Sequence, residues 1–502
     1  MNFTNPIITG SYPDPSICRN GQDYYMVSSS FEYFPGIPVL HSRDLIHWRQ
    51  IGFVLDRVSQ LPLKGMRSSG GIYAPTIRFN SGVFYTITTL VEGGGNFFVT
   101  ATNPAGPWSN PVWIDAEGFD PSLFFDDDGT VYYTQQTGGR HGRISQAIID
   151  INTGKLKNEL TGIWDGTGGI WPEGPHLYKR NGMYFLLIAE GGTSYDHKIT
   201  IARSENPMGP YISHQKNPIL THSTLPDHPF QAMGHCDFIE TDDGWWTVLL
   251  GIREANNHMG RETFLAPVTW DSNDWPVINQ NRAIEEIMSA PNLPVKKWEK
   301  RQFYYDFETP ELGMEWNYIR NPILENYSLL DRQGYLRLNG RSENLSDQDT
   351  STFIGQRQTA PKCRISTALS FTSTGENEEA GLAIRADDFN HLVLGLHRIE
   401  GENRIFFRET LKGNLVETRD IPVSSNEEII LLIDAKPHNY SFYFKQNEES
   451  DSVLLGESKT KNFVYEKIGN FMGVYIGLFA TGNGENNTNP ADFSWFRYDV
   501  IS

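Results

Sequence analysis

Apolar and polar residues alternate with a period of two along most of the chain. No window holds a helical apolar spacing over several turns, so the pattern predicts an all-β protein. Five stretches in the first three hundred residues share one design. They are "DPSICRNGQDYYMVSSS" from Asp14, "APTIRFNSGVFYTITTL" from Ala74, "DPSLFFDDDGTVYYTQQ" from Asp120, "EGPHLYKRNGMYFLLIA" from Glu173 and "GHCDFIETDDGWWTVLL" from Gly234. Each opens on a small or polar residue near Pro or Gly. A short alternating run, a Gly-containing turn and an aromatic pair follow. Asp-Gly turns supply the positive φ of a tight hairpin, so each stretch reads as two antiparallel strands. The units recur roughly every 46 to 62 residues, which leaves room for two further strands each and predicts a five-bladed β-propeller.

After residue 290 the texture changes. "SAPNLPVKKWEKRQFYYDF" reads as a linker, and "GLAIRADDFNHLVLGLHR", "NRIFFRETLKGNLVETRDI" and "EIILLIDAKPHNYSFYFKQ" read as strands of a second all-β unit. The expected layout is a catalytic propeller over 1–290, a linker over 291–304 and a β-sandwich over 305–502.

A net charge of −19 disfavours nucleic acid and anionic membrane surfaces as partners, since both need a basic footprint. The apolar runs are too short to span a bilayer. Cys18, Cys236 and Cys363 have no framework spacing and read as free thiols. "MNFTNPIITG" lacks a basic start and an apolar run. The expected location is the cytoplasm, or the periplasm or exterior if a signal peptide has been removed. A homo-oligomer is left open.

In a propeller the innermost strands line one axis, so equivalent positions at their starts converge. Those positions are Asp14, Ala74, Asp120, Glu173 and, beside Gly234, His235. Taken singly, an Asp before Pro is a turn residue and a buried His is a hydrogen-bonded core residue. The shared register is what sets them apart: three carboxyls and an imidazole meet around one pit. Paired carboxyls are the equipment of glycoside hydrolysis, and a third raises the pKa of the acid by like-charge repulsion. Aromatics in "SSSFEYFPG" and "GIYAP" could stack on a sugar. No P-loop, GxSxG, HExxH or Cys–His signature is present. Hard oxygen ligands with one imidazole could also hold a divalent ion.

"YPDPSICRNGQDYYMVSSSFEYFPGIPVLHSRDLIHW", "GGIYAP", "FDPSLFFDDDG", "EGPHLY", "IAEGGT", "GHCDF" and "GRETFLAPVTW" together resemble glycoside hydrolase family 43, in its two-domain β-xylosidase and α-L-arabinofuranosidase branch. The resemblance implies an exo-acting, inverting enzyme with a five-bladed propeller and a concanavalin-like sandwich. It would release β-D-xylose from the non-reducing end of xylo-oligosaccharides and, as a second substrate, α-L-arabinofuranose, with no required cofactor. By motif, Asp14 would be the general base, Glu173 the general acid, and Asp120 would orient Glu173 and keep its pKa up. Arg261 would bind hydroxyls of the terminal sugar, and Phe31 and Tyr73 would wall the pocket. His235 matches a central histidine that in some relatives touches calcium and in others only water. Tyr73 stands where Trp is expected, and Cys236 where a smaller residue is usual. Inversion demands room for water, so the Asp14 and Glu173 carboxyls should lie roughly 6.5–9.5 Å apart. The sandwich is expected to send a loop to the pocket rim. Rival readings are a primary α-L-arabinofuranosidase, a retaining fructan enzyme on the same fold, and a non-catalytic sugar-binding propeller.

Overall fold

A computed structural model describes residues 2–299, 303–423, 428–486 and 489–501. Five antiparallel sheets follow one another in chain order and form the five blades of a propeller. Their inner strands are Ser16–Asn20, Thr76–Asn80, Phe119–Phe125, Glu173–Arg180 and Phe230–Thr241. Each pairs with the next strand through a tight hairpin, such as Asp126–Thr130 in blade three, where Asp126 N–H bonds the Thr130 carbonyl at 2.9 Å. Blades three and four carry a fifth short strand off the main path.

The ring closes without a shared blade. Asn2–Thr4 pairs with Ile287–Ser289, and the Asn5 side chain bonds both the N–H and the carbonyl of Leu265 at 3.0 Å. This ties the chain start to blade five. Apolar residues are buried between neighbouring blades, for example Ile77, Phe84 and Val99 of blade two against Val27 and Val39 of blade one. Packing of faces rather than a central core leaves the axis free for polar side chains.

Two eight-stranded sheets make the C-terminal sandwich, with Leu382, Leu394, Ile405, Leu431, Phe442 and Ile476 in its core. One of these sheets ends on a propeller segment: Tyr33–Phe34 pairs with Asn317–Ile319. Tyr33 also stacks on Tyr475, with ring centroids 3.7 Å apart. Of the expected linker, residues 300–302 lie outside the described residues. The part before them is fastened to blade one: Trp298 Nε1 donates to the His47 carbonyl at 3.0 Å, and Arg49 lies over the Trp298 ring at 3.9 Å.

A fully buried ion cluster joins the two units. Arg385 donates to Glu32 (3.2 Å), the Tyr33 hydroxyl (2.8 Å) and Asp388 (2.7 Å). Arg320 holds the other Asp388 oxygen at 2.6 Å and the Met66 carbonyl at 2.6 Å. Every charge has a partner of opposite sign, which is the condition for burying ions at tolerable cost. Glu32 also accepts from Ser69 N–H at 2.9 Å, and Ser69 Oγ accepts from Phe471 N–H at 2.9 Å. The cluster thereby fixes two propeller loops and one sandwich loop in a single arrangement. Replacing Arg385 with Met leaves Glu32 and Asp388 under-compensated; we expect a loss of about 3–5 kcal/mol in urea unfolding of the full chain. A loss under about 1 kcal/mol would show that this cluster contributes little.

Candidate active site

Asp14 precedes the inner strand of blade one and adopts φ +55°; Asp120 and His235 sit within theirs at φ +52° and +45°. Such left-handed backbone is costly for non-glycine residues and gathers at functional sites. Register shifts accompany it, between Phe119 and Ser122, Glu173 and His176, and twice between Gln231 and Asp237. These bulges turn one side chain out of the blade face toward the axis. The Pro172-Glu173-Gly174 run follows the same logic. Gly174 has φ +57°, and a Cβ there would stand 2.8 Å from the His235 ring. Only glycine lets the backbone pass that closely while Glu173 faces the pit.

All seven residues singled out by sequence, Asp14, Phe31, Tyr73, Asp120, Glu173, His235 and Arg261, line one cavity of about 220 Å³. That is below the roughly 300–1,000 Å³ of drug-sized pockets and suits one sugar ring. Five aromatic or polar residues that sequence reasoning missed line it as well: Phe119, Trp171, Thr193, Tyr465 and Phe471. Tyr465 and Phe471 come from the sandwich. Trp171 adjoins the "PEG" motif and was legible as a neighbour of Glu173. Phe471 lies in "GNFMG", where no periodicity marks it.

Aromatic rings form one wall. Phe31 meets Tyr73 edge-on at 5.5 Å and Phe471 at 5.7 Å, while Tyr465 stacks on Phe471 at 5.8 Å. The Arg261 guanidinium lies 5.9 Å from the Phe31 ring and 5.7 Å from the Phe471 ring. It is thus held between aromatic walls contributed by the propeller and the sandwich.

The three carboxyls differ in their surroundings. Asp14 Oδ1 accepts from Arg261 Nη1 at 2.8 Å, and its Oδ2 accepts from the Ser29 hydroxyl at 2.6 Å. Burial pushes its pKa up, but Arg261, then His235 and Ser29, outweigh this and leave it below the usual carboxylate range. Asp120 has one donor, Gly174 N–H at 3.2 Å. Burial, then the charge of Asp14, pushes it up to about 8. Glu173 is raised well above its ordinary value by burial, then by Asp120 and Asp14. Like charges in a desolvated pit cannot all ionise, so the Asp120–Glu173 pair holds a proton while Asp14 gives its own up. His197, also missed from sequence, stands with Nε2 3.9 Å from Glu173 Oε1. Burial keeps its imidazole neutral, its pKa pushed down to about 3.

His235 Nδ1 faces Asp14 Oδ1 at 3.8 Å. Calcium takes six to eight oxygen ligands, whereas this imidazole shares its one carboxylate with a guanidinium. Deeper on the axis, Arg78 already supplies a fixed cation. It bonds Asp237 at 2.8 and 3.2 Å and His176 Nδ1 at 2.9 Å. Among the described residues no group of three or more His, Cys, Asp or Glu is placed to hold a metal. Calcium at His235 would therefore need most of its ligands from water.

Comparison with known proteins agrees with this arrangement. The model of glycosyl hydrolases family 43 matches residues 3–276, and that of the β-xylosidase C-terminal concanavalin A-like domain matches 304–499. A non-reducing-end α-L-arabinofuranosidase of Bacteroides ovatus is 45% identical over 99% of this chain and 95% of its own length. A xylosidase/arabinosidase of Butyrivibrio fibrisolvens is 40% identical over 99% of both chains. The solved structure of a family 43 protein from the xyloglucan locus of Bacteroides ovatus superposes with a TM-score of 0.96, at 45% identity and complete coverage of both chains.

The electrostatics of the pit lead to a direct test. In ¹³C NMR of labelled carboxyls, Asp14 should titrate below the ordinary carboxylate range and Glu173 above it. Replacing Arg261 with Met removes the cation that stabilises ionised Asp14, so the Asp14 pKa should rise. An unmoved Asp14 titration would refute the assigned role of that ion pair.

Proposed function

The chain belongs to family 43 of the glycosyl hydrolases, and on that premise we propose that it is an exo-acting, inverting glycosidase releasing β-D-xylose from the non-reducing end of xylo-oligosaccharides. The single observation that carries this reading is the opposed charge state of Asp14 and Glu173 across one sugar-sized cavity. Ionised Asp14 accepts a proton from water as that water attacks the anomeric carbon. Protonated Glu173 hands its proton to the departing glycosidic oxygen. The attack and the departure take place on opposite faces of the ring, so the anomeric configuration inverts.

Asp120 adds the charge that keeps Glu173 protonated, and through Gly174 N–H it holds the backbone that carries the acid. Glu173, whose side chain is 16% exposed, is the member of the pair able to reach a leaving group. Arg261 has donors to spare for sugar hydroxyls while gripping Asp14. Phe31, Tyr73 and Phe471 offer apolar surface to the sugar, and His235 lies beside the base. No step is routed through an ion at His235. Phe471 and Tyr465 close one side of the pocket, which supports removal of one terminal sugar at a time.

α-L-Arabinofuranose is the proposed second substrate. Its terminal hydroxyls present a geometry similar to that of xylopyranose, and the similarity to an α-L-arabinofuranosidase at 45% identity favours it specifically. The ratio of rates on the two p-nitrophenyl glycosides decides the preference.

Glu173→Gln should abolish turnover of xylobiose, whose sugar leaving group needs the proton, at pH 6, falling by at least about a thousandfold, while xylose still binds. Retained turnover would place the acid elsewhere. ¹H NMR of the first-formed product should show α-xylose from a β-xyloside; β-xylose would mean retention. kcat/KM should be bell-shaped. Its acidic limb reports protonation of Asp14, below the ordinary carboxylate pKa, and its alkaline limb reports loss of the Glu173 proton, above it.

A further inference from the structure

Adjoining the sugar pocket, with which it shares Thr193, Arg261, Tyr465 and Phe471, lies a second cavity of about 30 Å³. It is roomy enough for a water and far too small for a sugar. Propeller residues His197 and Arg261 line it on one side, and sandwich residues Tyr465 and Asn470 on the other. Three of these carry a buried polar atom with no hydrogen-bond partner among the described residues: His197 Nε2, which Glu173 Oε1 approaches only to 3.9 Å, Arg261 Nε and Asn470 Oδ1. The residues are 1%, 8% and 6% exposed, so bulk water does not satisfy them. Buried polar groups left unpaired are expensive, and three around one small cavity point to a common ligand.

The chemistry of the three atoms is complementary. His197 Nδ1 lies 3.3 Å from the Ala232 carbonyl, which can only accept; Nδ1 therefore carries the proton and Nε2 is an acceptor. Asn470 Nδ2 donates to the Ala386 carbonyl at 3.0 Å, which leaves Oδ1 as a second acceptor. Arg261 Nε–H is a donor. Two acceptors and one donor are what a water molecule matches, with two O–H groups and a lone pair.

We propose that this cavity is an internal hydration site, where one ordered water accepts from Arg261 Nε–H and donates to His197 Nε2 and Asn470 Oδ1, and that Asn470 is thereby a positioning residue for Arg261. Among the described residues the guanidinium is otherwise hydrogen-bonded by Nη1 to Asp14 at 2.8 Å and by Nη2 to the Phe471 carbonyl at 3.4 Å. A third tie at Nε fixes the plane of the fork, and hence the direction in which Arg261 meets Asp14. It also makes a sandwich side chain part of the catalytic geometry, without contact with substrate. Glu466 is the other charge on the cavity wall, and it is engaged by Asn257 Nδ2 at 3.0 Å.

The hydration site stands on geometry alone; its kinetic consequence rests on the hydrolytic reading above. Asp14 is faced by Arg261, His235, His197, the Ser29 hydroxyl, Asp120 and Glu173. Asn470→Ala changes none of these, and it loosens Arg261. A looser guanidinium stabilises ionised Asp14 less, so the acidic limb of kcat/KM should move to higher pH by roughly half a unit. KM for the aryl glycoside should rise up to about tenfold, the worth of one ordinary hydrogen bond.

The site itself is read from a crystal structure of the full wild-type chain at about 1.5 Å or better. We expect water density within hydrogen-bond distance of all three atoms. A dry cavity overturns the proposal whatever the variant does. Water present with an unmoved acidic limb and KM in Asn470→Ala overturns the positioning role, even if the melting temperature falls. Wild-type protein inactive on both glycosides would defeat the hydrolytic reading and leave the density to decide the hydration site.

Discussion

Everything in this protein turns on the cost of gathering three carboxyls in one desolvated pit. Burial works to raise all three pKa values and like charge adds to it at Asp120 and Glu173, while the Arg261 guanidinium, with His235 and Ser29, holds Asp14 down and breaks the symmetry. One carboxyl is left ionised and another protonated in the same small space. A base and an acid then coexist at one pH because their neighbours differ, not their side-chain chemistry.

The fold meets this demand in two ways. Five inner strands deliver residues distant in sequence to one axis. Bulges and left-handed residues at Asp14, Asp120 and His235 then turn those side chains out of the blade surfaces. Blade-on-blade packing supplies the stability that lets the axis stay polar. The same axis carries Arg78 and Asp237 below the pit, a paired charge where an unpaired one would be untenable.

The sandwich is part of this machinery. It takes a propeller segment as an edge strand, locks Glu32 with buried Arg385, and sends Phe471 and Tyr465 to the pocket wall. Arg261 is bounded by Asp14 on one side and by Phe471 on the other. The position of the residue that sets the charge state therefore depends on both units.

Much of this was legible in the chain. Period-two alternation, Asp-Gly turns and aromatic pairs are local, and they determined the strands, the hairpins and the five-fold repeat. The repeat register singled out Asp14, Asp120, Glu173 and His235, because equivalent slots in a radial array must converge. The family motifs added Phe31, Tyr73 and Arg261. His197, Tyr465 and Phe471 were not found, for a physical reason. They reach the site through loops and between domains, and such contacts leave no period or spacing in the sequence. The charge states also waited for tertiary structure. A carboxyl's pKa depends on which cation lies a few ångströms away and how much water is excluded, and Arg261 stands 247 positions from Asp14 along the chain.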